Sequence, residues 1–269
     1  MPNKIISLTM IVVVLLSACA QAAETPQVIK EEPIVEPTDT QPPPPPTLEP
    51  TPEPTATPVP PTPTQLPEGV LFRDEFNGSL QPGWTWVNEN PSRWSFVENG
   101  WLEIIGDDIS LFMEESTGMV NFLTRDLPEG EFAIVAHIQA DADESFEQAT
   151  IYIFEDQDNY IALNIGYCGI CGVGGPGFFM ETIIDNNPFG NHYEVARDAS
   201  VTDVLLKLVN QAGSLTGYYA LPGEDWQRLG AFGHFFDFNA VGLGATNSNT
   251  EGVEDDIKAR FDYFEITQP

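Results

Sequence analysis

The chain has 269 residues, with 41 Asp and Glu against 10 Lys and Arg, 24 Pro, 22 Gly and 3 Cys. A net charge of −31 argues against a nucleic-acid partner, because a phosphate backbone needs Lys and Arg to displace its counterions. Three cysteines build neither a disulfide-dense mini-protein nor a four-thiolate zinc site. From residue 69 on, 33 acids face 8 basic residues, so the later part alone carries −25. That acidity suits an exported, soluble domain and raises calcium as a candidate ion.

Lys4 precedes an apolar run from Ile5 to Leu16, broken only by Ser7 and Thr9. The run is short for a bilayer span, which takes ~20 residues, but it suits the core of a secretion signal. It ends in Leu16-Ser17-Ala18-Cys19. This resembles the lipobox of bacterial lipoproteins, which implies removal of residues 1–18 and acylation of Cys19. The alternative is an ordinary signal cut after Ala23. With the lipid, the protein is held at a membrane of the bacterial surface or envelope without a spanning helix.

Residues 19–68 read as a tether. Between 24 and 68, sixteen of 45 residues are Pro and nine are Thr. Pro has a fixed φ and no amide donor, so helix and sheet are both disfavoured. A polyproline II or disordered stalk is expected, with a reach on the order of 100 Å. The prolines lack the basic or aromatic anchors of a docking ligand.

From Gly69 to Pro269 the pattern is all β. Phe132, Ile134, Ala136 and Ile138 share one face of a strand, as do Ala149, Ile151 and Ile153 on the next and Ile161, Leu163 and Ile165 on a third. Asp203 to Val209 and Ala259 to Ile266 alternate in the same way. Period two marks half-buried strands. Turn formers separate the runs, as in Asp156-Gln157-Asp158-Asn159 and Gln211-Ala212-Gly213. Roughly fourteen strands are expected, favouring one two-sheet antiparallel sandwich of jelly-roll type over two domains.

The opening Phe72-Arg73-Asp74-Glu75-Phe76-Asn77-Gly78, the hairpin Val97-Glu98-Asn99-Gly100-Trp101-Leu102-Glu103-Ile104 and the closing Phe261-Asp262-Tyr263-Phe264-Glu265-Ile266 resemble strands of the concanavalin A-like lectin and glucanase superfamily. Asp156-Gln157-Asp158-Asn159-Tyr160-Ile161-Ala162-Leu163, Gly217-Tyr218-Tyr219 and Asp225-Trp226-Gln227-Arg228-Leu229-Gly230 are similar to the C-terminal domain of family 43 β-xylosidases and its stand-alone relatives. The resemblance covers essentially all of residues 70–268. It implies a concanavalin A-like β-sandwich and a carbohydrate partner.

The glucanases of this superfamily carry Glu-x-Asp-x-(x)-Glu on a strand, and that motif is absent. Asp141-Ala142-Asp143-Glu144-Ser145-Phe146-Glu147 is expected between strands and has the wrong spacing, so an acidic solvated loop is expected there. Glu103 and Glu181 are weak outsiders for catalysis, and no catalytic residue is assigned. The resemblance also implies a calcium site, with Asp262, Glu75 and Gly100 at the matching positions; Asp262 pairing instead with Arg260 or Arg73 is the alternative. Cys168-Gly169-Ile170-Cys171 suits a short disulfide in an exported protein. Free thiols, or zinc with His192, stay open, although that ligand set is incomplete.

The side opposite the core carries Val135, His137 and Gln139 on one strand, Thr150, Tyr152 and Phe154 on another, and Tyr160, Ala162 and Asn164 on the next. If these strands are neighbours, His137, Gln139, Tyr152, Phe154 and Asn164 form an outward face of rings and amides. Such a face suits sugars, whose C–H faces pack on aromatics while amides meet their hydroxyls. Burial of that face as a second small core is the competing expectation. The expected protein is a surface-anchored lipoprotein that binds a plant or microbial polysaccharide or oligosaccharide without catalysis. A glycoside hydrolase with a non-standard carboxylate pair and a structural or protein-interaction module are the alternatives.

Overall fold

The computed structural model describes residues 66–97, 100–108, 120–144, 146–190, 192–233, 237–247 and 256–269. The signal segment, Cys19 and the Pro/Thr-rich stretch up to residue 65 lie outside them. The described residues contain seventeen strands and no α-helix. Two stacked sheets form the jelly-roll sandwich that the alternation implies, as expected from the resemblance to concanavalin A-like domains.

The first sheet joins β1 (Val70–Asp74), β3 (Trp94–Phe96), β4 (Leu102–Ile105), β7 (Phe132–Gln139), β13 (Asp203–Gln211), β14 (Ser214–Ala220), β15 (Gln227–Gly233) and β17 (Lys258–Thr267). Its order is β15-β14-β13-β7-β17-β4-β3, and β1 pairs with β17 beyond the end of β4. The second sheet joins β2 (Thr85–Val87), β5 (Asp107–Asp108), β6 (Phe122–Asp126), β8 (Glu147–Phe154), β9 (Tyr160–Cys168), β10 (Gly175–Ile184), β11 (Asn187–Pro188), β12 (Tyr193–Ala196) and β16 (Ala240–Asn247). Its order is β11-β10-β9-β8-β16-β6-β2, with β12 on β10 and β5 on β16. Pairing is antiparallel except for the short β5–β16 contact.

The core lies between the sheets. Ile134, Ala136 and Ile138 of β7 meet Ile151, Ile153, Ile161, Leu163 and Ile165 of the second sheet, all buried. The opening motif is fastened by Asp74. Its buried carboxylate accepts the Phe76 and Gln81 amides at 2.9 and 2.8 Å and the Trp84 indole N–H at 2.8 Å. Trp84 in turn packs edge-on against Phe264, with ring centroids 5.0 Å apart.

β17 departs from strict alternation. Its register slips between Phe261 and Tyr263, so Phe261 and Phe264 both face the core although three positions apart. One extra residue in one strand is a β-bulge, and it re-aims the side chains beside it. Here it brings Asp262 and Tyr263 together beside His137, on the outer surface of the first sheet.

Candidate functional site

The sequence-predicted face is split between the two sheets. β8 and β9 are neighbours, but β7 is not beside them: it sits between β13 and β17 in the other sheet. The chain crosses the sandwich between Gln139 and Glu147, so succession along the sequence is not adjacency in space. His137 and Gln139 therefore lie on the outside of the first sheet, and Tyr152, Phe154 and Asn164 on the outside of the second.

The second outside is not an open surface at these residues. Tyr152 and Asn164 are 0% exposed and Phe154 is 7% exposed. With Phe122, Tyr160, Ala162 and Ile183, Tyr152 and Phe154 make a second small core. Gly242 and Gly244 of β16 explain the packing: the Phe154 and Phe122 rings lie where side chains on these glycines would stand. Tyr152 touches Phe122 at 4.5 Å and Tyr160 at 5.6 Å between centroids. Its hydroxyl is turned toward Thr150 and Thr246, yet none of these hydroxyls makes a hydrogen bond of normal geometry, nor does the Asn164 amide. Burial raises the Tyr152 phenol above its ordinary value. On the same face, burial pushes the Glu181 carboxyl up to about 7, against the lowering effects of His192 and a hydrogen bond from Gln148.

The first outside is different. His137 is clamped at both nitrogens: Nδ1 lies 2.9 Å from Asp262 Oδ2, and Nε2 lies 2.7 Å from Asp203 Oδ1. Asp262 arrives through the bulge, and Asp203 opens β13, two residues before Leu205, the cross-strand partner of His137. Trp101 stands near the imidazole at 5.1 Å and Tyr263 at 5.8 Å between centroids. The Arg73 guanidinium covers Tyr263 at 4.0 Å. All three rings of the row are half-buried. Farther along the same face, Lys207 reaches over Trp226 at 4.1 Å and Tyr218 at 4.9 Å.

One register step away, Gln139 pairs with Arg260, and Arg260 holds Glu103 at 2.8 Å. Both Gln139 and Arg260 line an open, polar cavity of about 900 Å³ at this end of the sandwich. Arg93, Asp141, Asp143 and Lys258 also line it. Arg93 pairs with Asp256 at 2.8 Å, while Lys258 is exposed. Three of the eight basic residues after position 69 thus gather around one cavity of a very acidic domain.

The calcium positions do not fit an oxygen cage. Calcium takes six to eight hard oxygens. Here Asp262 faces an imidazole, and Glu75 is bound by Arg73, which also holds Glu265 at 2.7 Å. Gly100, at φ 86°, backs onto Asn77, where a side chain would sit 2.9 Å from the Asn77 Oδ1. It serves the close approach of hairpin and first turn. Cys168 and Cys171 are joined in a disulfide.

Trp101, Tyr263 and Asp203 did not stand out as site residues in the sequence. Trp101 carried a signal, since it alternates with Leu102 and so faces outward. Tyr263 carried none, because the bulge reverses the phase that alternation assigns to it.

Residues 73–267 match the model of the β-xylosidase C-terminal concanavalin A-like domain, designated GH43_C2. The chain belongs to this family. A GH43 protein from Bacillus licheniformis superposes with a TM-score of 0.62 at 20% identity, over 77% of this chain and 40% of that one. The xylan β-1,4-xylosidase from Bacillus halodurans gives 0.60 at 19% identity, over 78% of this chain and 41% of that one. The family domain thus spans about two-fifths of these proteins. A β-glucanase from Bacillus licheniformis gives 0.53 at 11% identity, over 74% of this chain and 98% of that one. At these identities the likeness is one of fold. A comparison with curated protein sequences finds no match.

Proposed function

We propose that this chain is an exported, lipid-anchored protein whose sandwich binds a plant or microbial polysaccharide without cleaving it. The observation that carries the reading is the row of half-exposed rings, Trp101, His137 and Tyr263, running beside the polar cavity that contains Gln139. Sugar C–H faces pack on such rings, and amide, guanidinium and ammonium groups meet the hydroxyls. The family supports a carbohydrate partner, since similar structures include a xylan β-1,4-xylosidase. Asp203 and Asp262, the carboxylates that contact His137, are both engaged by one imidazole, which supports binding over acid–base chemistry. In this reading Cys19 carries the lipid, and the Pro/Thr-rich stretch holds the sandwich away from the envelope.

Affinity electrophoresis of the mature chain through gels containing xylan, arabinan or β-glucan tests the reading. Retardation on at least one of them, lost in Trp101→Ala, is the expected result. Unretarded migration on every polysaccharide overturns it.

A further inference from the structure

The turn between β9 and β10 holds Cys168 and Cys171, and β12 lies along the other edge of β10. Glu194 lies in β12, and His192 immediately precedes that strand. Both reach the cysteine turn. The His192 Nε2, Glu194 Oε2 pair is 3.4 Å apart, and Cys171 Sγ lies with a nitrogen of His192 and an oxygen of Glu194 inside a circle of mutual distances no longer than 4.8 Å. The turn is shaped to this approach: a side chain on Gly172 would run into the Glu194 carboxylate. Glu194 Oε2 is buried and accepts no hydrogen bond. The His192 imidazole stands 3.4 Å from that oxygen without a hydrogen bond, and a metal ion between them would meet both. Cys168 Sγ is bonded to Cys171 Sγ, so a fourth donor is tied directly to this group.

We propose that, in its reduced form, the chain binds zinc through Cys168, Cys171, His192 and Glu194. β12 and the residue before it supply the ligands that three cysteines alone lack. Two thiolates, an imidazole and a carboxylate suit zinc rather than calcium. Zinc–ligand bonds of about 2.0–2.3 Å make a tetrahedron with edges of roughly 3.4–3.8 Å. The His192–Glu194 pair already stands at that length, and reduction frees the two sulfurs to separate. A dithiol reductant opens the site: its two thiols become a disulfide as the Cys168–Cys171 bond takes up two electrons and two protons. Zinc then displaces the two thiol protons to solvent. A disulfide oxidant reverses both steps: it takes the two electrons, becomes two thiols with two protons from solvent, and the Cys168–Cys171 bond re-forms and releases the metal.

The full chain, reduced with a phosphine and titrated anaerobically with Co²⁺, tests the proposal. One equivalent of Co²⁺ should give the thiolate-to-cobalt charge-transfer band with tetrahedral d–d absorption, and Zn²⁺ should bleach both. The oxidised chain should give neither band. His192→Ala and Glu194→Gln should each weaken Co²⁺ binding at least tenfold while far-UV circular dichroism stays that of an all-β protein. A reduced chain without the thiolate band, or a band indifferent to both substitutions, overturns the proposal.

Discussion

The two outer faces of the sandwich obey the same alternation and end up as different materials. On the first sheet, outward residues leave Trp101, His137 and Tyr263 half-exposed and tie their charged neighbours into pairs. On the second, outward residues fold into a second small core around Tyr152 and Phe122. Alternation tells which side of a strand a residue takes; it does not tell whether that side is wet. The difference comes from what neighbouring strands contribute. Glycines on β16 let rings settle on the second face, whereas charged partners from β13 and β17 hold the first one open.

The sharpest way to break this contrast is to truncate the same kind of side chain on each face. Tyr152→Ala should cost ~3–5 kcal/mol of stability, since it removes a buried ring, and calorimetry should show the melting temperature falling by about 10 °C. Tyr152→Phe should be neutral or stabilising by up to ~1 kcal/mol, because the hydroxyl it removes has no hydrogen bond of normal geometry. Trp101→Ala should weaken polysaccharide binding roughly tenfold, about 1.4 kcal/mol, while moving the melting temperature little. Equal thermal losses in Tyr152→Ala and Trp101→Ala would erase the distinction between a core face and a surface face.

A pH series sharpens it further. The Glu181 carboxyl is pushed up to about 7 from an ordinary 4.5. A raised folded value means that its stabilising contribution is complete below about 4.5 and is lost as pH rises toward 7, where the folded form must ionise in a dry place. Glu181→Gln should therefore raise the melting temperature by a few degrees at pH 8 and leave it unchanged at pH 4. A constant gap across the series would show that burial does not set this carboxyl. The smallest expected effect belongs to calcium: adding the ion or a chelator should shift the melting temperature by less than about 1 °C, because the His137 ring already holds Asp262 and Arg73 holds Glu75.

Much of this architecture was readable in the chain. The apolar phases of β7, β8 and β9 placed their core residues correctly, because period two is a local property. The partition of those strands between sheets was not readable, since it depends on where the chain crosses the sandwich. His137 was found, but its clamp was not: Asp203 is 66 positions away, and Asp262 reaches the ring only through a bulge. Glu194 was missed for the same reason, as its strand meets the cysteine turn only through the pairing of β12 with β10.

The pairing of β1 with β17 leaves the two ends of the sandwich side by side, with Val70 opposite Thr267 and the Gln268 amide donating to the Gly69 carbonyl at 2.8 Å. A short Gly-Ser bridge would join them without crossing a face. The exposed Ala212–Gly213 turn then offers a place to reopen the chain. Such a circular permutant would keep every strand contact while moving the point of attachment along the first sheet, from the β1–β17 pair to the β13–β14 turn at the same end.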